Sequence, residues 1–200
     1  MKLAESSILV EFVADLFPGT NLLPQDPVLR AQTRFFVDVV SSKFVPAYMK
    51  FVVRGEGYED LLAAVEAIQD ILPATGTYAM GEQYTIADIS ITPFIARLKF
   101  VSSNELGRYP VGQGKELLQT LNEPRYAKFS AYAECALDRQ SFQTTFDVVR
   151  CSIKGSRTSS AECFDHPGTC QRCLYELVWQ PTLRPRNELG RTYVNQPYDS

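Results

Sequence analysis

Several things are missing from this sequence of 200 residues. No run approaches the roughly 20 uninterrupted apolar residues of a membrane-spanning helix, which excludes that class of protein. Lysines and arginines are nowhere clustered and the formal net charge is −3, which excludes a strongly basic nucleic-acid binder. The start, Met1-Lys2-Leu3-Ala4-Glu5-Ser6, lacks the long apolar stretch of a secretory leader, so a cytoplasmic location is the expectation. There is no internal repeat and no low-complexity tract. Before residue 150 no alternation of apolar and polar residues is long enough for a strand. What is left is an ordinary globular composition, 45% hydrophobic and 22% charged, in a chain large enough to bury a core.

That composition is not uniform. Residues 1–150 hold 14 Lys+Arg and 18 Asp+Glu, net −4, whereas residues 151–200 hold 6 and 5, net +1. Four of the five cysteines (Cys151, Cys163, Cys170 and Cys173) lie in the last quarter, and Cys135 alone precedes them. The first part is strongly periodic and the last is not. One helical domain followed by something of different character is the reading.

The periodicity predicts the helices. Over 7–17, Ile8, Leu9, Phe12, Val13 and Leu16 recur at helical spacing, and Phe17-Pro18-Gly19 ends the run. Asp26-Pro27 reads as a cap followed by proline at the first helical position, opening a long helix that runs to the Gly55-Glu56-Gly57 turn. Pro46 removes one hydrogen bond inside it and is expected to bend it. Residues 59–72 give an amphipathic helix stopped by Pro73. Residues 85–101 are apolar on nearly every side, as the central helix of a bundle must be. Residues 113–121 and 124–137 predict two more, and 141–146 a short last one. The fold class is all-α, a bundle around the 85–101 helix.

Two helix starts carry local chemistry. In Tyr84-Thr85-Ile86-Ala87-Asp88-Ile89, Thr85 and Asp88 fit a capping box, with Tyr84 and Ile89 at the positions of a hydrophobic staple. Asp88 thus reads as a folding residue and not as a general base. Glu5-Ser6 opens the first helix, where free amides and the positive end of the dipole favour an anion. Ser6 offers both a hydroxyl and an amide there.

Leu3-Ala4-Glu5-Ser6-Ser7-Ile8, Asp26-Pro27-Val28-Leu29-Arg30-Ala31 and Tyr84-Thr85-Ile86-Ala87-Asp88-Ile89-Ser90 stand in the order and spacing seen in cytosolic glutathione S-transferases. Pro124-Arg125-Tyr126 and Arg139-Gln140-Ser141-Phe142 are also similar, and the chain most resembles the omega-like group of fungi. The resemblance covers about residues 2–147. It implies that residues 1–6 are a remnant of a thioredoxin-like domain and residues 7–147 the C-terminal helical domain. It implies glutathione as co-substrate and a small electrophile as its partner in reaction, by conjugation or glutathione-dependent thiol transfer. Ser6 would then hold the γ-glutamyl carboxylate and Glu5 face the amino group. A homodimer or a protein partner is a further implication.

The departure from the family lies before Glu5. A βαβ unit takes roughly 30 residues or more, so five cannot supply the thiol-activating half of the site. The resemblance therefore yields no catalytic residue, and little or no activity is expected of the chain as written. A non-catalytic interaction module is the alternative. On the substrate side the long helix offers Arg34, Tyr48 and Phe51 and the central helix Phe94 and Arg97; the aromatic ones read as core, and none is named as a site. In the tail, Cys163, His166, Cys170 and Cys173 include a Cys-x-x-Cys pair, but the gap from His166 to Cys170 is too short for paired zinc ligands, and no metal is expected. Residues 148–200 read as an irregular tail foreign to the family, since periodicity and resemblance both stop after Asp147.

Overall fold

The computed structural model describes residues 3–146. The expectations for residues 148–200, the Cys163–Cys173 cluster included, lie outside the described residues. Among the described residues all regular structure is helical, and a pair of isolated bridges (Tyr78 with Gly81, Met80 with Gln83) shapes the loop before the central helix.

Helix α1 spans Ser6–Leu16 and α2 spans Pro27–Val39. The Asp26 carboxylate starts α2 by accepting from the amides of Val28 (3.0 Å) and Leu29 (2.8 Å), while Pro27 fills the first position, where no amide partner is needed. The rod does not stop at Val39. A widened turn at Val40–Phe44, in which the Val45 amide reaches back to the Val40 carbonyl, leads into α3 (Val45–Met49), and a second widened turn follows at Lys50–Arg54. Pro46 is thus accommodated in a helix continuous over residues 27–54. The widened turn just ahead of Pro46 makes room for its ring in the preceding turn, so the chain stays helical without the bond that proline cannot make. Gly55 ends the rod with φ 72°, and a Cβ there would stand 2.5 Å from the Arg108 carbonyl oxygen. Only glycine meets both demands.

Helix α4 (Glu59–Ile71) has Glu59 and Asp60 in its first turn, where the dipole favours them. Helix α5 (Ile86–Ser103) follows the 73–84 loop and continues through Pro93. Then come α6 (Gln113–Leu121), a single tight turn at Pro124–Tyr126, α7 (Ala127–Asp138) and the short α8 (Gln140–Thr145). Helix α5 packs against α1, α2, α3, α6 and α7, which is why it has no polar face. Phe44, Phe51, Leu61, Val65, Ile68, Ile91 and Leu117 are fully buried in the main core. Each such side chain stabilises the fold by roughly 1.5–3 kcal/mol relative to exposure.

Two junctions hold the layers in register. Gln69 of α4 donates to the Arg125 carbonyl (3.0 Å) and accepts from the Phe129 amide (3.1 Å), so its side chain stands in for a missing turn at the start of α7. Lys128 of α7 answers by donating to the carbonyls of Gln69 (3.0 Å) and Leu72 at the end of α4. Each helix caps the other.

Helix α1 stands apart from this core. Its buried side belongs to a separate small cluster in which Ala14, Leu23 and Ile86 meet Val10, Leu22 and Val37. Ion pairs of Arg34 with Glu11 and Arg30 with Asp15 pin it to α2. Most of its predicted apolar face is turned outward: Ile8 is 54% exposed, Phe12 45%, Val13 46% and Leu16 56%. No helix of the described residues is long and apolar enough to cross a membrane.

Candidate functional site

Glu5 and Ser6 sit at the N-terminus of α1, and both are exposed. Glu5 has φ 72°, a left-handed conformation that costs a side-chain-bearing residue about 1 kcal/mol or more. Its carbonyl accepts from the Leu9 amide (3.0 Å), closing the first helical bond, while its side chain makes no cap to the amides of that turn. The first-turn amides therefore have no side-chain cap from Glu5, next to the Ser6 hydroxyl. This arrangement suits a small carboxylate, which would accept from those donors and gain from the dipole.

The residues considered on the substrate side are already engaged. Arg34 grips Glu11 with two bonds, Nε to Oε1 at 2.9 Å and NH2 to Oε2 at 2.8 Å. That pairing holds the Glu11 carboxyl below its ordinary range, chiefly through the hydrogen bond and then through the guanidinium charge. Tyr48 is buried with its ring edge-on to Phe94, and Phe51 is fully buried and stacked on Tyr109 at 4.2 Å. Arg97 lies over the Phe94 ring at 6.0 Å. The aromatic residues thus pack the core, whereas Arg34 is engaged in a surface ion pair.

The start of α5 carries more than a local cap. Thr85 and Asp88 form the capping box, with the Thr85 hydroxyl accepting from the amides of Ala87 and Asp88 and the Asp88 Oδ2 accepting from the Thr85 amide (2.9 Å). The other carboxylate oxygen reaches outside the helix. Asp88 Oδ1 accepts from the Ala79 amide (2.8 Å) in the 73–84 loop and from the Tyr132 hydroxyl (2.9 Å) of α7. One buried carboxylate thus ties the helix start to the loop nine residues before it and to α7, 44 residues away. Burial pushes the Asp88 carboxyl up from its ordinary range, against the pull of the bonds from Ala79, Thr85 and Tyr132. Tyr132 is pushed well up by burial and then by the adjacent Asp88 charge, so it stays protonated and donates. Nearby, Tyr84 meets Tyr78 edge-on, and Arg139 covers the Tyr84 ring at 4.0 Å, fixing the loop to the α7–α8 junction. The capping box is visible in the sequence. The reach to Ala79 and Tyr132 is not, because no local spacing encodes it.

Comparison with known proteins places this geometry. The family model described as glutathione S-transferase, C-terminal domain, matches residues 52–135. Glutathione transferase Omega 1C from Trametes versicolor is 46% identical and superposes with a TM-score of 0.75, covering 79% of this chain and 66% of that one. Omega 2C from the same fungus is 48% identical with a TM-score of 0.73, covering 79% and 67%. Among curated proteins, mouse maleylacetoacetate isomerase is 28% identical over 127 residues, 58% of each chain. The chain spans about half the length of the curated relatives it matches first, 58% and 48%. With a 48% identical omega relative covered over 67% of its length, and the C-terminal-domain model matched over residues 52–135, the chain belongs to the glutathione transferase family.

Proposed function

We propose that this chain is the helical, electrophile-facing part of a glutathione-dependent transferase of omega type. It would act on a small electrophile by conjugation or thiol transfer, with Glu5 and Ser6 holding the γ-glutamyl end of glutathione. In that role the Ser6 hydroxyl and first-turn amides would bind the carboxylate, and Glu5 would face the ammonium group. The observation that carries the reading is α1. It presents the Glu5-Ser6 pair at its open N-terminus and an exposed apolar row along its length. That row extends beyond the helix to Leu3 and Phe17, exposed at 43% and 60%. Such a row calls for cover. The family's glutathione-holding thioredoxin-like unit is the cover proposed, with residues 1–6 its last part and residues 7–147 the helical domain.

The thiol of glutathione must ionise to react, and that needs a hydroxyl, thiol or positive charge beside the sulfur. Glu5 and Ser6 address the opposite end of the tripeptide. Residues 1–200 alone are therefore proposed to conjugate glutathione to an aryl chloride at close to the background rate. Conjugation at a rate comparable to an intact omega enzyme would overturn this. Fusing the thioredoxin-like unit of the Trametes Omega 2C enzyme ahead of Glu5 tests the binding role. The expected result is restored glutathione binding, weakened roughly tenfold by Ser6→Ala through loss of a hydrogen bond to a charged group. If the folded fusion binds no glutathione, or binds it equally well with Ser6→Ala, the assignment of Ser6 fails. The alternative role as an interaction module draws on the same exposed row, and a fusion without glutathione binding would favour it.

A further inference from the structure

Arg30, Arg34, Arg54 and Arg125 each hold a carboxylate, from Asp15, Glu11, Glu56 and Glu66. Arg97, in the second half of α5, has none among the described residues. It is only half-buried, and of its five N–H donors one is spent, NH1 on the Pro93 carbonyl at a long 3.4 Å. Its contact with the Phe94 ring, 6.0 Å away, seats the cation on a π face and spends no hydrogen bond.

The surroundings of Arg97 follow from helix register. Phe94, Arg97 and Val101 recur at helical spacing on one face of α5. Val45, Tyr48 and Val52 do the same on the rod, and Tyr48 meets Phe94 edge-on. Val45, Val52, Phe94 and Val101 are half-buried against the core, so their outer sides make a partly open apolar strip with one cation in it. Helix α1 points at this strip. Glu11 pairs with Arg34 and Asp15 with Arg30, so α1 runs antiparallel to α2. Val37 lies beside Ile86, and Tyr48 beside Phe94, so the rod and α5 run the same way. Extending the ion-pair register sets Ser6 level with about residue 39, roughly nine residues or about 14 Å short of Tyr48. The open N-terminus of α1 therefore faces along the furrow between rod and α5, toward Phe94 and Arg97.

We propose that Arg97 is a specificity residue, selecting aromatic electrophiles that carry a carboxylate. This role rests on the reading of Ser6 above, under which the thiol of glutathione lies between α1 and the strip. The flat body of the electrophile lies against the apolar strip, and its carboxylate accepts two parallel N–H bonds from the guanidinium. The reacting carbon, opposite the carboxylate on the ring, then points back toward α1. For an aryl chloride the thiol proton goes to water and the thiolate attacks the carbon bearing chlorine. The C–S bond forms, the C–Cl bond breaks and chloride leaves with the electron pair. An uncharged analogue gains the apolar contact but covers the cation without pairing it, which costs desolvation.

The test compares para-chloro-meta-nitrobenzoate with its neutral carboxamide. Each is titrated without glutathione into the full 200-residue chain and followed by NMR, with circular dichroism confirming the fold of each variant. The acid is expected to bind roughly tenfold more tightly than the amide and to shift the Arg97 side-chain and Val101 amide signals. Arg97→Gln abolishes the preference, and Arg97→Lys, which keeps the charge without the fork, retains part of it. In the fusion with the Trametes thioredoxin-like unit, Arg97→Gln lowers the acid-to-amide ratio of kcat/KM by roughly tenfold and leaves glutathione affinity unchanged. No binding of the acid, equal binding of acid and amide, or a preference that survives Arg97→Gln overturns the proposal. A fusion that binds no glutathione, beside a chain that still prefers the acid through Arg97, overturns the reading of Ser6 and supports Arg97 as a carboxylate site.

Discussion

Replacing Asp88 by alanine removes the acceptor for the amides of Thr85 and Ala79 and for the Tyr132 hydroxyl at once. Hydrogen bonds to a charged acceptor contribute about 1.5–3 kcal/mol each, and an orphaned buried donor costs about 1–3 kcal/mol. Against this, the variant no longer buries a carboxylate, which offsets several kcal/mol. The balance is a loss of about 3–5 kcal/mol, out of a total stability of about 5–15 kcal/mol for a domain. An unfolding entropy of about 2.1 cal/mol/K per residue gives roughly 0.3 kcal/mol/K for the described domain, so the midpoint should fall by about 10–15 °C. Thermal unfolding followed by circular dichroism measures the total, and amide exchange at Ala79 measures the loop separately. Tyr132→Phe removes one donor and leaves the other two bonds intact. It should cost about 1–1.5 kcal/mol and leave the Ala79 amide protected. A folded Asp88→Ala variant melting within 3 °C of the wild type, roughly 1 kcal/mol, would refute the argument. So would an Ala79 amide that stays protected in it.

Gly55→Ala meets both a left-handed backbone and the Arg108 carbonyl, and should cost about 2–4 kcal/mol in urea unfolding, whereas Gly19→Ala, with open space around it, should cost little. Glu11 is held below its ordinary range by Arg34, so its contribution is present above the unfolded value of 4.5 and is lost as pH falls through the lower folded value. Amide protection of α1 should accordingly decline below pH 4.5, and Glu11→Gln should remove that pH dependence. Asp88, raised by burial, runs the other way: its contribution is greatest below the unfolded value of 3.8 and diminishes as pH rises through the folded one. Stability between pH 3 and 6 should therefore show the Asp88 trend in the Glu11→Gln variant, measured by urea unfolding at each pH.

The helices were legible because their causes are local. Asp26-Pro27, Gly55, Pro73 and Thr85 to Asp88 act on their own turns, and the structure begins or ends helices at each of them. What escaped the sequence depends on partners. Periodicity shows that Ile8, Phe12 and Leu16 share a face but not whether anything covers it, and the structure turns that face outward. Pro46 signals a lost hydrogen bond, yet the sequence does not say that a widened turn just ahead of it keeps the rod continuous. Glu5-Ser6 stands out in the sequence by its position before a helix. The left-handed backbone at Glu5 could not have been, because glutamate has no preference for it.

The reciprocal capping of α4 and α7 has a consequence for the chain as a connected object. The carbonyls of Gln69 and Leu72 are satisfied by Lys128, and the Phe129 amide by Gln69, so neither helix end is complete without a segment some 56–60 positions away. These ends close late, when the two halves dock, and not as each helix forms. The connection between the halves matters much less, because it carries none of these bonds. It passes through Val111, 92% exposed, in the turn before α6. A single cut there leaves the buried contacts and both shared caps intact. The two fragments should then stay associated, which co-elution on size exclusion after the cut would check, each supplying the groups that complete the other's helix.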